Sequence, residues 1–210
     1  MGMRTVRHIV AMAALVAATT SCGDVIRQGR SPVYLVMTLL QAAQGNHISS
    51  FGGSLTSDVL TLVTQPAPCS QTSPCQTVFN DVGQVGLKIS LKDIGTPNNP
   101  TAPTTNNEVT ITRFHVAYRR ADGRNTQGVD VPYAFDGAAT GTIAGFGALT
   151  LSFEIVRDVA KEESPLVQLI NSRNIITTIC DVTFYGHDQV GNEMSVTGSI
   201  TIDFGNFGDT

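Results

Sequence analysis

The sequence contains no tryptophan, and only 14% of its 210 residues are charged. No basic stripe runs along it, and no cluster of aromatic residues could stack on bases. Nucleic-acid binding needs both the lysines and arginines that meet phosphates and a recognisable reading element. The formal net charge of −4 also disfavours binding to negatively charged phosphates. We therefore expect no nucleic acid among the partners.

Enzyme motifs are also missing. The sequence has no GxSxG elbow, HExxH pair, Walker loop or dinucleotide fingerprint. After the N-terminal leader the histidines are His47, His115 and His187, and their positions along the chain do not bring them together. We therefore predict no catalytic residues, no histidine-bound metal and no enzymatic activity. An extracytoplasmic hydrolase is the weakest alternative, because it would need a nucleophile and a base that lie together.

Long apolar runs are scarce, and the clearest one stands near the N-terminus. Residues 1–8 are basic, and residues 9–18 are apolar over about the length of a signal-peptide core. That run is too short to span a bilayer by itself. Small residues then lead directly to Cys22. The pattern predicts that residues 1–21 are a signal peptide.

The junction of Ser21 and Cys22 resembles the signal of a bacterial lipoprotein, in which the cysteine after the cleavage site is acylated. The resemblance implies a lipid on Cys22, a tether over residues 22–31 and a membrane-anchored protein facing the periplasm or the cell surface. Position 19 is threonine, where the family usually has leucine. An ordinary secreted protein cleaved near the same place is the alternative. Acyl chains contribute about 0.8 kcal/mol per buried CH₂ to membrane binding.

The other cysteines fit an exported protein. Cys69 and Cys75 bracket the short segment SQTSP in a loop rich in Pro, Ser and Thr, which predicts a small disulfide. Metal ligation is the alternative, but no further cysteine or pair of histidines stands nearby. Cys180 lies on the apolar side of a predicted strand, so we expect a buried, unreactive thiol.

Alternating apolar residues make residues 174–204 the clearest structural signal. They predict two strands joined by a tight turn that contains Asp188, Gly191 and Asn192. The first strand is apolar on both faces, which is typical of a strand inside a sheet. Similar alternation predicts strands over residues 85–91, 109–118, 129–135 and 149–155, and a further strand is predicted over residues 55–63. Residues 32–43 are apolar without a clean period, and Val33, Tyr34 and Val36 favour a strand there over a helix.

Three further local patterns lie within or between these strands. Apolar residues change parity between Ile111 and Phe114, which predicts a β-bulge near Thr112 and Arg113. Residues 95–107 lack apolar periodicity and predict a long exposed loop. A short helix is predicted from Ser164 as N-cap and Pro165 as the first helical residue.

The segment ITRFHVAYRRADGR and the later turn DQVGN resemble parts of immunoglobulin-like and fibronectin type III domains. The resemblance implies that residues 32–210 form one all-β domain. Its fold would be an immunoglobulin-like antiparallel β-sandwich of about 7–9 strands with one short helix. The tryptophan and the inter-sheet cystine of antibody domains are missing.

That resemblance also implies that the loop after the second strand of the sandwich and the final turn leave at the same end. Oxygen-bearing side chains in these loops could bind Ca²⁺, because this hard cation prefers oxygen ligands. The alternative is that they are ordinary turn residues. We predict no other cofactor. The candidate ligands are Asp93, Asn106, Asn107, Asp188 and Asn192.

Together these patterns predict a non-enzymatic cell-envelope lipoprotein whose end loops contact another envelope protein or a surface glycan. The alternative is a structural subunit that assembles by strand addition through an exposed sheet edge.

Overall fold

Residues 29–208 are the part of the chain that the structure, a computed structural model, describes. Within these residues lie a short α-helix, α1 (Asp158–Glu162), and 3₁₀ helices over Thr105–Asn107 and Leu166–Leu169. The strands in chain order are β1 (Val33–Ala43), β2 (Ser54–Asp58), β3 (Thr61–Val63), β4 (Cys75–Thr77), β5 (Asp81–Leu91), β6 (Gly95–Thr96), β7 (Asn99–Pro100), β8 (Val109–Arg119), β9 (Phe135–Ile143), β10 (Ala148–Val156), β11 (Ile176–Asp188) and β12 (Glu193–Gly205).

Two sheets carry the fold. One has the strand order β1-β5-β10 and the other the order β2-β12-β11-β8-β9, while β3-β4 and β6-β7 form two small sheets. All neighbours in the main sheets are antiparallel except β2, which runs parallel to β12. The order β1-β5-β10 corresponds to strands A, B, E and the order β12-β11-β8-β9 to strands G, F, C, C′ of an immunoglobulin-like sandwich, with β2 as an additional strand beside β12. The predicted fold class is confirmed.

The hairpin of β11 and β12 is the longest antiparallel pair, with an unbroken register from Ile176 opposite Phe204 to His187 opposite Glu193. On its other side β11 pairs with β8, so it lies inside the sheet, as its two apolar faces predicted. Cys180 is fully buried between the sheets.

The bulge in β8 is also confirmed. The register between β8 and β11 shifts between Tyr185 and Gly186, and the register between β8 and β9 shifts between Ile111 and Arg113. Thr112 is the residue left over. Ile111 before the bulge and Phe114 after it are therefore both buried, although their positions differ in parity.

The strand predicted over residues 129–135 is wrong. Val129 and Tyr133 are exposed, and the strand that returns beside β8 is β9. Its alternation is hidden because two inward positions are glycine. A Cβ on Gly137 would lie 2.2 Å from the Phe114 ring, and one on Gly141 would lie 2.8 Å from Leu149. The aromatic and leucine side chains need that space.

Three other elements differ in detail from the predictions. The strand predicted over residues 55–63 is divided into β2 and β3. The loop predicted over residues 95–107 contains the small hairpin of β6 and β7. The helix predicted after Ser164 is a 3₁₀ helix that buries Leu166 and Leu169, and the α-helix α1 comes before it. A spacing of three residues brings two side chains to one face of a 3₁₀ helix.

Aromatic rings fill the centre between the sheets. The centroids of Phe114 and Phe153 are 5.2 Å apart, and those of Phe153 and Phe184 are 5.1 Å apart. Further along the core, Tyr118 packs against Phe204 with a centroid distance of 6.0 Å. The buried Tyr118 hydroxyl donates a hydrogen bond of 2.6 Å to the carbonyl of Ile155, which ties the two sheets together.

A buried ion pair lies at the end of the core where β5 begins. The Nζ of Lys161 in α1 lies 2.9 Å from Oδ2 of Asp81, and both side chains are 1% exposed. The Ser57 hydroxyl donates a 2.5 Å hydrogen bond to the same carboxylate oxygen, and the Gly45 N–H donates one of 3.0 Å to the other. Burial raises the pKa of Asp81, while the charge of Lys161 and these hydrogen bonds oppose the rise.

The burial of Cys180 leads to a chemical prediction. Burial, and after it the charge of Asp181, raise the pKa of the thiol, so almost no thiolate forms at neutral pH. We expect iodoacetamide to leave Cys180 unmodified in the folded protein and to alkylate it after unfolding. Peptide mass spectrometry measures both. Rapid alkylation of the folded protein would contradict the placement of Cys180 in the core.

Candidate functional site

The predicted end loops leave the sandwich at the same end. Val33 at the start of β1 pairs with Leu91 at the end of β5, and Val109 at the start of β8 pairs with Asp188 at the end of β11. A hydrogen bond between the side chains of Ser31 and Asp188 joins the segment before β1 to the end of β11 here. We call this end, defined by Val33, Leu91, Val109 and Asp188, the entry end, because the described chain enters the sandwich there.

Asp188 is fully buried, and its carboxylate accepts hydrogen bonds from its own turn. Its Oδ1 accepts hydrogen bonds from the N–H groups of Val190 and Asn192, at 3.1 and 2.8 Å, and its Oδ2 accepts one from the Asn192 side chain at 2.8 Å. Burial alone would raise the pKa of Asp188, but these donors and Ser31 outweigh burial and lower it. The residue fixes the shape of the turn.

Two of the remaining candidate calcium ligands, Asp93 and Asn107, also serve local turns. Asn107 Oδ1 accepts hydrogen bonds from the backbone N–H and the hydroxyl of Thr104, Asp93 Oδ1 accepts one from the Gly95 N–H, and Asn106 is exposed. Within residues 29–208 no group of three or more His, Cys, Asp or Glu side chains is placed to hold a metal ion. The calcium site stays a prediction, and turn hydrogen bonds account for every candidate side chain except Asn106.

The predicted disulfide is confirmed: Cys69 and Cys75 are bonded, with an S–S distance of 2.05 Å. The predicted signal peptide, Cys22 and most of the predicted tether lie outside the described residues. Along the described part of the chain, no helix has the length and apolar character needed to cross a membrane.

The bulge of β8 produces a site that the sequence did not reveal. Next to Thr112 a cleft of about 280 Å³ opens on the outer face of the five-stranded sheet, just below the range of about 300–1,000 Å³ typical of ligand pockets. Its floor includes Gly186, where a Cβ would lie 2.5 Å from the Thr110 carbonyl oxygen. The cleft is lined by Thr112, Arg113, Tyr185, Gly186, His187, Glu193 and Met194.

Arg113 and Glu193 are the charged residues among those that line this cleft, and Arg113 is the cationic one. Its guanidinium carbon lies 3.6 Å from the centroid of the Tyr185 ring, and Nη1 lies 3.3 Å from Oδ1 of Asp136. The same Asp136 oxygen lies 3.2 Å from Nδ1 of His115. Stacking on the ring holds the guanidinium plane in place while half of the side chain stays exposed. Its remaining donors can therefore meet a ligand.

No protein-family model matches this chain, and no curated protein matches it either. The geometry of the site is therefore the basis for inferring what it can bind. A fixed guanidinium recognises a carboxylate through paired N–H groups. His187 also lines the cleft, and its Nδ1 lies 3.1 Å from the Asp188 carbonyl oxygen. The arrangement suits the binding of a small acidic group.

A second arginine on the same sheet face has a different environment. Arg119 Nε donates a 2.6 Å hydrogen bond to Asp181, which also accepts one of 2.5 Å from the Ser199 hydroxyl. Burial would raise the pKa of Asp181, but Arg119 and Ser199 outweigh it and lower the pKa. Arg119 does not line the cleft. It therefore offers an internal comparison for Arg113.

Proposed function

We propose that this protein is a non-enzymatic envelope lipoprotein, anchored by a lipid on Cys22, that binds a carboxylate group of an envelope glycan or protein in the cleft beside Thr112. The observation that supports the binding role is the pre-ordered Arg113, stacked on Tyr185 at the mouth of the cleft. An arginine ordered before binding loses little side-chain entropy when the ligand arrives.

The position of the cleft is consistent with this role. The bulge turns Arg113 toward the outer face, where five strands provide a rigid support. Binding groups on strands are held more accurately than groups on loops. The volume of the cleft fits one sugar ring or one acidic side chain, so the protein would recognise a terminal or branching group of a larger partner.

Calorimetric titration of the purified protein tests the proposal. We expect a carboxylate-bearing muropeptide or an acidic peptide to bind, while the neutral sugar N-acetylglucosamine does not. Arg113→Ala should weaken binding at least about tenfold, because a hydrogen bond to a charged group contributes about 1.5–3 kcal/mol. Arg119→Ala is the matched control, since that side chain is equally exposed but lies outside the cleft. Equal losses in both variants, or no binding of either acidic probe, would contradict the proposal.

The edge strand β9 supports a second candidate function, assembly by strand addition. In the described chain β9 pairs only with β8, and over its nine residues it carries a single charged side chain, Asp136. Edges that must stay unpaired usually carry lysine or proline. Sedimentation velocity at increasing concentration would show oligomers, and Thr140→Lys should abolish them. A monomer at every concentration would rule this candidate out.

A further inference from the structure

Three turns at the entry end expose an apolar side chain at their tips. Ile94 after β5 is 73% exposed, Phe146 between β9 and β10 is 77% exposed, and Val190 between β11 and β12 is 69% exposed. Single exposed apolar residues are common on proteins, and Val129 at the opposite end is also 64% exposed. The three exposed tips therefore indicate a contact surface only when the position of the tether is considered with them.

Two of the tips share one surface groove. Ile94 and Phe146 line a groove of about 410 Å³, together with Lys88, Leu91 and Thr101 among others. The third tip, Val190, is held out rigidly because the buried Asp188 accepts the hydrogen bond of its N–H. Lys88 is exposed, so a positive charge stands beside the apolar tips. Apolar residues next to a lysine are typical of a surface that enters the headgroup region of a membrane.

The tether joins the sandwich at the same end. Lys92 donates a 3.3 Å hydrogen bond to the carbonyl of Gly29, and its Nζ lies 5.0 Å from the centroid of the Tyr34 ring. The seven steps from Cys22 to Gly29 reach at most about 25 Å when fully extended. An eleven-residue strand such as β1 is about 35 Å long. A lipid on Cys22 therefore keeps the entry end near the bilayer and allows the opposite end to stand away from it.

We propose that the entry end is a membrane-contact surface, in which Ile94, Phe146 and Val190 enter the boundary between headgroups and acyl chains and Lys88 meets lipid phosphate. The inference rests on the proposed lipid anchor. An acyl anchor limits the distance of the domain from the membrane but leaves its orientation free, and the three tips set that orientation. The outer face of the five-stranded sheet, with the cleft, then stands on the side of the domain.

The missing tryptophan makes a direct test possible. The acylated full-length protein carrying Phe146→Trp has one tryptophan, at a position where the side chain is exposed and no packing is lost. The probe is a vesicle of phosphatidylethanolamine and phosphatidylglycerol, with and without acyl-brominated lipid. We expect the emission to shift to shorter wavelength on reconstitution and to be quenched by the brominated lipid at least about twofold, as for a side chain buried several ångströms into the interface. Val129→Trp, the matched control at the opposite end, should show neither change.

Vesicle flotation separates the outcomes. Protein that floats with the vesicles while Phe146→Trp stays unquenched refutes the contact surface and leaves the anchor intact. Protein that does not float refutes the anchor, and the contact surface with it. A blue shift that grows with protein concentration and is insensitive to brominated lipid would mean that the tips meet a second copy, which also refutes the proposal.

Discussion

Lys161→Met is expected to lower the free energy of unfolding by about 3–5 kcal/mol, because it leaves the buried carboxylate of Asp81 without its counter-ion. Lys161 and Asp81 are both almost completely buried, and their charged atoms are 2.9 Å apart. The substitution keeps most of the side-chain volume, so the loss reports the charge and not a cavity. Urea unfolding followed by circular dichroism measures it.

The matched control removes both charges. In the double variant Asp81→Asn with Lys161→Met, the asparagine oxygen can still accept the hydrogen bond of the Gly45 N–H, and the asparagine NH2 can donate to the Ser57 hydroxyl oxygen. Replacing a whole buried ion pair by neutral groups costs far less than breaking it. We therefore expect the double variant to recover most of the stability. A double variant as unstable as Lys161→Met would show that the ion pair is not the cause.

The pH dependence of Lys161→Met has a defined sign. Burial already raises the pKa of Asp81 above its ordinary value of 3.8, and removing the ammonium group raises it further in the folded state. A carboxyl whose folded pKa is raised costs no stability below the unfolded pKa, and the cost grows as pH rises from the unfolded to the folded pKa and is constant above it. The deficit of the variant should therefore be largest at neutral pH and shrink as the solution is acidified toward 3.8. A deficit independent of pH would contradict this account.

Phe184→Ala should destabilise the domain by about 3–5 kcal/mol, the usual cost of emptying an aromatic core position. Phe184 is fully buried, and its ring contacts Phe153 at a centroid distance of 5.1 Å and Phe114 at 6.0 Å. The cavity would lie at the middle of the contact between the two sheets, where little backbone can move to fill it. Thermal and urea unfolding measure the change.

Two comparisons sharpen that prediction. Phe184→Leu keeps part of the volume and should cost clearly less than the alanine variant. Phe146→Ala removes an aromatic ring that is 77% exposed, and its cost should stay within about 0.5 kcal/mol. Similar losses for Phe184→Ala and Phe146→Ala would contradict the assignment of Phe184 to the centre of the core.

Much of the fold could be predicted because strand patterning is local. The parity change between Ile111 and Phe114 marked the bulge, and the two apolar faces of β11 placed it inside the sheet. β9 was missed because Gly137 and Gly141 have no side chains and therefore hide the alternation. Glycine is needed at these positions because the Phe114 ring and leucine side chains, distant in sequence, occupy the space that a side chain would fill.

The ion pair and the cleft were missed for a different reason. Lys161 belongs to the polar segment DVAKEE, which reads as a solvated surface, and its burial depends on Asp81, eighty positions earlier. The stacking of Arg113 on Tyr185 depends on the register between β8 and β11. The fold resemblance correctly indicated that the end loops leave at one shared end. Periodicity cannot show, however, that the side-chain oxygens of Asp188 and Asn107 already accept hydrogen bonds within their own turns.

The lipid on Cys22 is the central claim, because the envelope location and the membrane-contact surface both depend on it. Growing a bacterial host that expresses the full-length protein with an alkyne-bearing fatty acid, followed by click labelling and gel electrophoresis, tests it directly. We predict a labelled band for the wild-type protein and none for Cys22→Ser. An unlabelled wild-type protein, or a label that persists on Cys22→Ser, would contradict the account.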